Sequence, residues 1–263
     1  MTQTIDRRGI EPSGPRLPGD KLAPHPTLGR YYDAPEQRQA FVRRIFDESA
    51  AQYDLVERMM AFGTGPWYRR QALARAGLAP GMKCLDVAVG TGLVAREAVA
   101  LVGDPAAVIG LDPSPGMLAQ AARALPIRLV VGRAEALPFD HHSFDFVSMG
   151  YALRHVSDVA VTMREFLRVL RPGGTLCLLE ITRPHRAIAR TLVKCYMKGV
   201  VPCLSRLATG GRTQALLWEY YWDTINACVP PAVLRDAMAY AGFADVKRNV
   251  ELGIFSEYTG RKR

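Results

Sequence analysis

Two acids and a glycine turn carry most of the chemistry legible in this chain of 263 residues. The stretch from Lys83 to Asp112 reads KCLDVAVGTGLVAREAVALVGDPAAVIGLD. A short apolar run ends in Asp86, the turn Gly90-Thr91-Gly92 follows, and a second apolar run closes on Asp112, twenty residues beyond Gly92. The pattern is strand, glycine turn, helix, strand, with an acid at each strand's carboxyl end. This layout holds an adenosine-containing cofactor at the edge of a parallel sheet. The glycines alone leave two cofactors open, because Gly90 to Ala95 also fits the G-x-G-x-x-[GA] turn that brings backbone amides to a pyrophosphate. Asp86 turns the reading toward S-adenosylmethionine (SAM). A dinucleotide turn wants an apolar residue there, whereas a cofactor with an ammonium, a sulfonium and no phosphate suits a carboxylate. Asp112 serves either cofactor by accepting hydrogen bonds from ribose hydroxyls.

The elements that must position these residues follow from periodicity. From Arg38 to Ala76 the spacing of Phe41, Ile45, Phe46, Leu55, Met59 and Met60 is helical, interrupted at Gly63-Thr64-Gly65-Pro66. Strands and helices then alternate, which implies a parallel sheet. Gly132 to Phe139 lies between strands Leu129–Val131 and Phe144–Ser148, and Tyr151 to Val156 follows the latter. The amphipathic helix carrying Val159, Met163, Phe166 and Leu170 stops at Arg171-Pro172-Gly173-Gly174, ahead of strand Thr175–Ile181. A helix after Pro230-Pro231, ending near Gly242, and two runs around Val246–Leu252 and Ile254–Thr259 complete the chain. The expected organisation is a disordered proline-rich tail (1–35, with six prolines), a helical cover (36–78), an α/β core (79–182), a basic and aromatic helical lid (183–230), and a helix with a β-hairpin (231–263).

Composition narrows the class. Apolar residues are 49% of the chain, enough for a buried core, and no run approaches the ~18 apolar residues of a spanning helix. An apolar leader is absent from the N-terminus, and five cysteines without C-x-x-C spacing favour neither a disulfide frame nor a metal site, so a reduced, cytoplasmic protein is expected. Of the formal charge of +9, the segment 183–212 supplies seven cations and no acid. Arg186, Arg190, Lys194 and Lys198 recur every fourth residue, with Ile188, Leu192, Val193 and Tyr196 largely elsewhere around the helix. That pattern suits the surface of an anionic membrane, on the inner face, while Trp218, Tyr220, Tyr221 and Trp222 suit a ring-binding pocket or the same interface. The charge also suits phosphates, but no RNA-binding module and no motif for clamping a flipped base is present, so no specific nucleic acid is expected.

These blocks, in this order, resemble the C-methyltransferase family of ubiquinone and menaquinone biosynthesis (UbiE-type) from about Phe41 to the C-terminus. The resemblance rests on Tyr53-Asp54-Leu55, Pro80 to Lys83, Leu85 to Ala88, Gly90-Thr91-Gly92, Ala134 to Phe139, Leu153-Arg154, Arg168 to Leu170 with Pro172 to Gly174, Ala241 to Phe243, and Gly253-Ile254. It implies an α/β class I methyltransferase (Rossmann-like) fold, a seven-stranded mixed sheet with helices on both faces. It also implies SAM held by Asp86, Ala88, Gly90, Thr91, Gly92, Asp112, Met117, Arg133, Ala134 and Gly150, with Thr91 and the backbone around it on the methionyl part, Asp112 on the ribose, and Arg133 and Ala134 beside the adenine. The chain departs from the family pattern at Val89 (a glycine there), Arg133 (Asn or Asp), Ala152 and His155 (Gly and Asn), Glu57-Arg58 (Asn-Asp) and Gly65-Pro66 (His-Arg). These departures cluster where an acceptor would lie.

The implied acceptor is a hydrophobic aromatic or quinol methylated on carbon. The alternatives are O- or N-methylation of a lipid or secondary metabolite, a nucleic-acid methyltransferase, and a SAM-binding partner subunit without turnover. C-methylation of a quinol needs a phenolate whose charge reaches the ring carbon. Arg154 is the expected oxyanion holder, His155 the proton acceptor and Tyr53 the residue that positions the ring. A homodimer is an assembly the chain allows.

Overall fold

The computed structural model describes residues 21–60, 63–184, 186–203 and 212–263; the proline-rich stretch 1–20 lies outside them. Strands β1 (Cys84–Val87), β2 (Val108–Asp112), β3 (Arg128–Val131), β4 (Phe144–Gly150) and β5 (Leu170–Ile181) pair in parallel. The hairpin of β6 (Phe243–Glu251) and β7 (Phe255–Lys262) adds antiparallel to β5. The order across the seven-stranded sheet is β3-β2-β1-β4-β5-β7-β6. This is the expected class I methyltransferase architecture. Strand order reverses between β1 and β4, and the crevice outside the carboxyl ends at such a switch point is where ligands bind.

Alternation along the strands sorts side chains between two apolar layers. Leu85, Val87, Leu111 and Val147 join the layer under α5 (Val159–Val169) and α8 (Pro231–Ala241). Cys84, Val108, Phe146 and Cys177 join the layer under α2 (Gly65–Arg75) and α3 (Leu93–Val102). Each large side chain so buried contributes roughly 1.5–3 kcal/mol. Local chemistry sets the helix starts. Ser114 accepts from Met117 N–H (3.1 Å) at the start of α4 (Pro115–Ala124), and Asp158 accepts from Ala160 N–H (2.8 Å) at the start of α5. Val89, where the family has glycine, fits because Gly110 has no side chain: a Cβ there would stand 2.9 Å from a Val89 methyl.

Three expectations need correction. The tail expected to be disordered to residue 35 is packed from Lys21 onward. Leu22 and Pro24 carbonyls accept from Val159 and Val229 N–H (2.8 Å each), and buried Arg38 donates to the His25 carbonyl (2.9 Å). Prolines removed backbone donors from this stretch without preventing its carbonyls from being used. The strand expected to begin at Thr175 pairs from Leu170, with an irregularity in register across the glycine turn.

The third correction concerns the basic stripe. Over α6 (Ala187–Cys195) Arg186, Arg190 and Lys194 are exposed, but a π-helical turn, Tyr196–Val200, follows. The wider turn ends the four-residue repeat, and Lys198 pairs with Asp223 of α7 (Arg212–Ala227) at 2.7 Å. Val193, Tyr196 and Met197 face a third apolar cluster built with α1 (Arg38–Met60) and α7, whereas Ile188 and Leu192 are 79% and 65% exposed. No described helix is long and apolar enough to cross a membrane.

Candidate cofactor and acceptor site

The carboxyl ends of β1, β2 and β4, with α1, α2 and α7, enclose a cavity of about 990 Å³. One half has the chemistry for a nucleoside. Ala88, Gly90, Thr91, Asp112, Met117, Arg133, Ala134 and Gly150 line it. Asp112 ends β2, with Oδ2 accepting Gly90 N–H and Oδ1 accepting Ser114 N–H, each at 2.8 Å. Burial pushes its carboxyl up to about 6 against the pull of these bonds. Each oxygen keeps a lone pair for a ribose hydroxyl.

Gly92, at φ +91°, turns the chain into α3 and does not itself line the cavity. Gly150 lets the end of β4 close on α3, since a Cβ there would meet Val94 at 2.6 Å. Ala88 (φ 56°) and Tyr151 (φ 60°), just past β1 and β4, hold left-handed backbone that non-glycine residues rarely adopt, a strain concentrated at this mouth. Arg133 is half exposed, 3.5 Å from Ser157 Oγ and from Glu135 Oε2.

Asp86 is placed differently from the expectation. It does not line the cavity. Period-two alternation points it to the α3 side, where it accepts from Ser148 Oγ (2.7 Å) of neighbouring β4 and its Oδ2 has no partner among the described residues. Desolvation pushes its carboxyl up to about 7. It ties β1 to β4 beneath the turn and does not face the cofactor crevice.

The other half of the cavity is aromatic. Tyr53 stacks on Trp218 (6.0 Å between centroids, 23°), and its hydroxyl lies 2.7 Å from that of Tyr221. Burial raises both phenols above their ordinary range. His155 stacks on Tyr220 and meets Phe46 edge-on, with neither ring nitrogen partnered among the described residues. Burial, with the charge of Arg154 next, holds it well below 6.5, so the ring is neutral.

Arg154, the expected oxyanion holder, does not line the cavity. It is 1% exposed, its Nη1 donates to Glu180 Oε2 at 2.9 Å, and its guanidinium lies 4.3 Å from the Tyr221 ring centroid. Its charge thus reaches the cavity through the Tyr221 ring and hydroxyl. The short 3₁₀ turn Leu153–His155 alternates the two side chains, burying Arg154 against β5 and opening His155 to the cavity.

Residues 32–262 match the ubiE/COQ5 methyltransferase family. The chain belongs to that family. Over 235 residues it is 34% identical to the ubiquinone/menaquinone biosynthesis C-methyltransferase UbiE of Shewanella sediminis, covering 86% of this chain and 92% of that protein. The UbiE of Shewanella woodyi is 33% identical over the same length, with the same coverage. The fold is shared with a SAM-dependent methyltransferase of Thermotoga maritima (TM-score 0.60, 21% identity, 84% of this chain and 99% of that one). Phosphoethanolamine N-methyltransferase 2 of Haemonchus contortus, solved with SAM, gives a TM-score of 0.61 at 17% identity, over 86% of this chain and 60% of that one. This family member is therefore a SAM-dependent methyltransferase.

Several side chains at the site carried little sequence signal. Asp54, one residue past Tyr53, accepts from Thr91 Oγ1 at 2.5 Å and fastens α1 to the glycine turn. Asp47 accepts from Ser114 Oγ (2.6 Å) and Gly116 N–H (2.9 Å), holding α1 against α4. Glu180 could have been found, being an acid inside an apolar strand, the signal that singled out Asp86. Glu57, Arg69 and Tyr151 also line the cavity and come together only in the fold.

Proposed function

We propose that the protein C-methylates a hydrophobic quinol or related phenol, with the nucleoside half of the cavity holding SAM and the aromatic half holding the acceptor ring. The observation that carries this reading is the Tyr53–Tyr221 hydroxyl pair, 2.7 Å apart in the aromatic half, with the buried cation of Arg154 directly behind Tyr221. The residues fit the cofactor: Asp112 presents oxygens for the ribose, and Ala134, Met117 and Gly150 offer an apolar, close-fitting cradle. When bound, SAM supplies an electrophilic methyl on a sulfonium.

The protein's part is positioning and charge. Trp218, Phe46 and the His155–Tyr220 stack sandwich a ring and exclude water. The tyrosine pair donates a hydrogen bond to the acceptor oxygen, and Arg154 stabilises the phenolate through Tyr221, a positioning role replacing direct contact. His155, neutral and with both nitrogens open, accepts the phenol proton. The two Shewanella relatives, both ubiquinone/menaquinone biosynthesis C-methyltransferases, support the acceptor class.

Exposed Ile188 and Leu192 with Arg186, Arg190 and Lys194 on α6 support peripheral contact with an anionic bilayer, where a prenylated quinol resides. The test is methyl transfer to a short-chain demethylated quinol, beside titration calorimetry with S-adenosylhomocysteine. Tyr221→Phe and Tyr53→Phe are expected to lower kcat about a hundred- to a thousandfold, the range for losing a donor to an oxyanion, with cofactor affinity within twofold. Cofactor binding without transfer to the quinol carbon would move the acceptor to an O- or N-nucleophile.

A further inference from the structure

On the wall of the cavity, helices α1 and α2 bring Glu57, Gly65 and Arg69 together. Arg69 is 3% exposed. Its Nη2 pairs with Glu57 Oε1, while Nε and Nη1 find no acceptor among the described residues. A buried donor left unpaired is costly, so this guanidinium is built to meet something. Gly65 makes the room: a Cβ there would stand 2.8 Å from Nη1 and 2.9 Å from Glu57 Oε1. The pair is anchored to the cofactor half. Asp54, one turn before Glu57 on α1, holds Thr91 of the glycine turn, and the guanidinium lies 5.8 Å from the ring centroid of Tyr151, next to Gly150.

Two opposite charges side by side, both on the cavity wall, do not suit a simple anion, which Glu57 would repel. They suit a zwitterion. The amino-acid end of SAM, opposite its adenine, carries a carboxylate and an ammonium, and Asp86, first expected to meet the ammonium, faces α3 instead. We propose that Glu57 and Arg69 form a clamp for the methionyl zwitterion of the cofactor, Arg69 donating to the carboxylate and Glu57 accepting from the ammonium. This inference rests on the reading of the cavity as the SAM site. Arginine's fixed planar fork matches a carboxylate, and two opposed contacts set the orientation of the cofactor's flexible end.

Calorimetry compares S-adenosylhomocysteine, which keeps the zwitterion, with 5′-methylthioadenosine, which lacks it. Wild type is expected to bind the first at least tenfold more tightly. Arg69→Gln and Glu57→Gln should each weaken S-adenosylhomocysteine about tenfold and leave methylthioadenosine within twofold. Gly65→Ala, whose methyl crowds the pair, should give a smaller loss of the same selectivity, and Arg69→Lys a partial rescue. These last two carry the test if thermal unfolding shows Arg69→Gln to be poorly folded. S-adenosylhomocysteine affinity within threefold of wild type in the folded variants overturns the clamp. So does a loss of kcat/KM without loss of that affinity, which would put the ligand of Arg69 on the acceptor. Failure of wild type to bind either nucleoside would instead overturn the cofactor reading of the cavity.

Discussion

At the residue scale, the same strand-end acid does different work according to the side of the sheet it faces. Asp112 turns its oxygens to the mouth, while Asp86 is sealed under α3 with one unpartnered oxygen. Because burial raises the Asp86 carboxyl to about 7 in the folded protein, it contributes stability that is fully present below about pH 4 and lost as pH rises through 7. Asp86→Asn keeps an acceptor for Ser148 and removes the ionisation. Its melting temperature should therefore exceed wild type by most at pH 8.5, by less at pH 5 and by little below pH 4, by thermal unfolding without ligand. A variant less stable at pH 8.5 and pH 5 would mean that an unseen partner rewards the charge. The depressed His155 makes a kinetic statement of the same kind: it should contribute no limb to kcat/KM near pH 6.5, so a limb there should persist in His155→Phe and belong to the raised carboxyls.

At the element scale, α6 is the least buried helix among those bordering the cavity. None of its residues is buried, and it joins the third apolar cluster through Val193 and the π turn that follows. Such an element is free to meet a surface with Ile188 and Leu192 while three cations flank it. Co-sedimentation with vesicles rich in anionic lipid should drop several-fold in Arg186→Gln/Arg190→Gln/Lys194→Gln and again in Ile188→Ser/Leu192→Ser, each cation being worth roughly 1 kcal/mol near the surface. Lys198→Gln should have little effect on sedimentation, because that cation is already paired with Asp223. Binding that ignores all of these changes would remove the membrane contact from the reading.

At the scale of the whole molecule, the aromatic half of the cavity is a joint between distant parts of the chain. The segment from Lys21 bonds to Val159 and Val229, Tyr31 donates to Asp223 (2.7 Å), and Arg38 reaches the Val156 carbonyl (3.3 Å). Two neutral histidines are enclosed there, His25 held down to about 4 and His155 well below its ordinary range, both chiefly by burial. With folded values below the unfolded 6.5, they contribute stability that is present above pH 6.5 and lost as pH falls toward 4. From pH 7.5 to pH 5 the histidines pull the melting temperature down while Asp86 and Asp112 push it up, so the readout is the slope relative to wild type, which His155→Phe, keeping the stack on Tyr220, should shift toward greater stability at pH 5. An unchanged slope would assign the acid sensitivity elsewhere. Arg38→Ala leaves several buried acceptors bare and should cost about 2–4 kcal/mol in denaturant unfolding.

The sequence by itself determined the sheet, the glycine turn and the acid at the end of β2, because strand periodicity and turn chemistry are local and repeat along the chain. The aromatic run of α7 fitted a ring pocket or a membrane interface equally, and the fold buries it, with Trp218 and Tyr221 on the cavity wall. What only the tertiary structure decided was facing and pairing. Asp86 and Arg154 looked like residues of the mouth, yet alternation and a short 3₁₀ turn bury them behind it, leaving Tyr221 and His155 at the surface of the cavity. Glu57 and Gly65 stood out only as departures placed beside an acceptor, and Arg69 gave no signal, since their meaning depends on α1 and α2 crossing so that a missing side chain on one helix makes room for an ion pair between the two. Local spacing names residue types; only packing fixes which of them see the ligand.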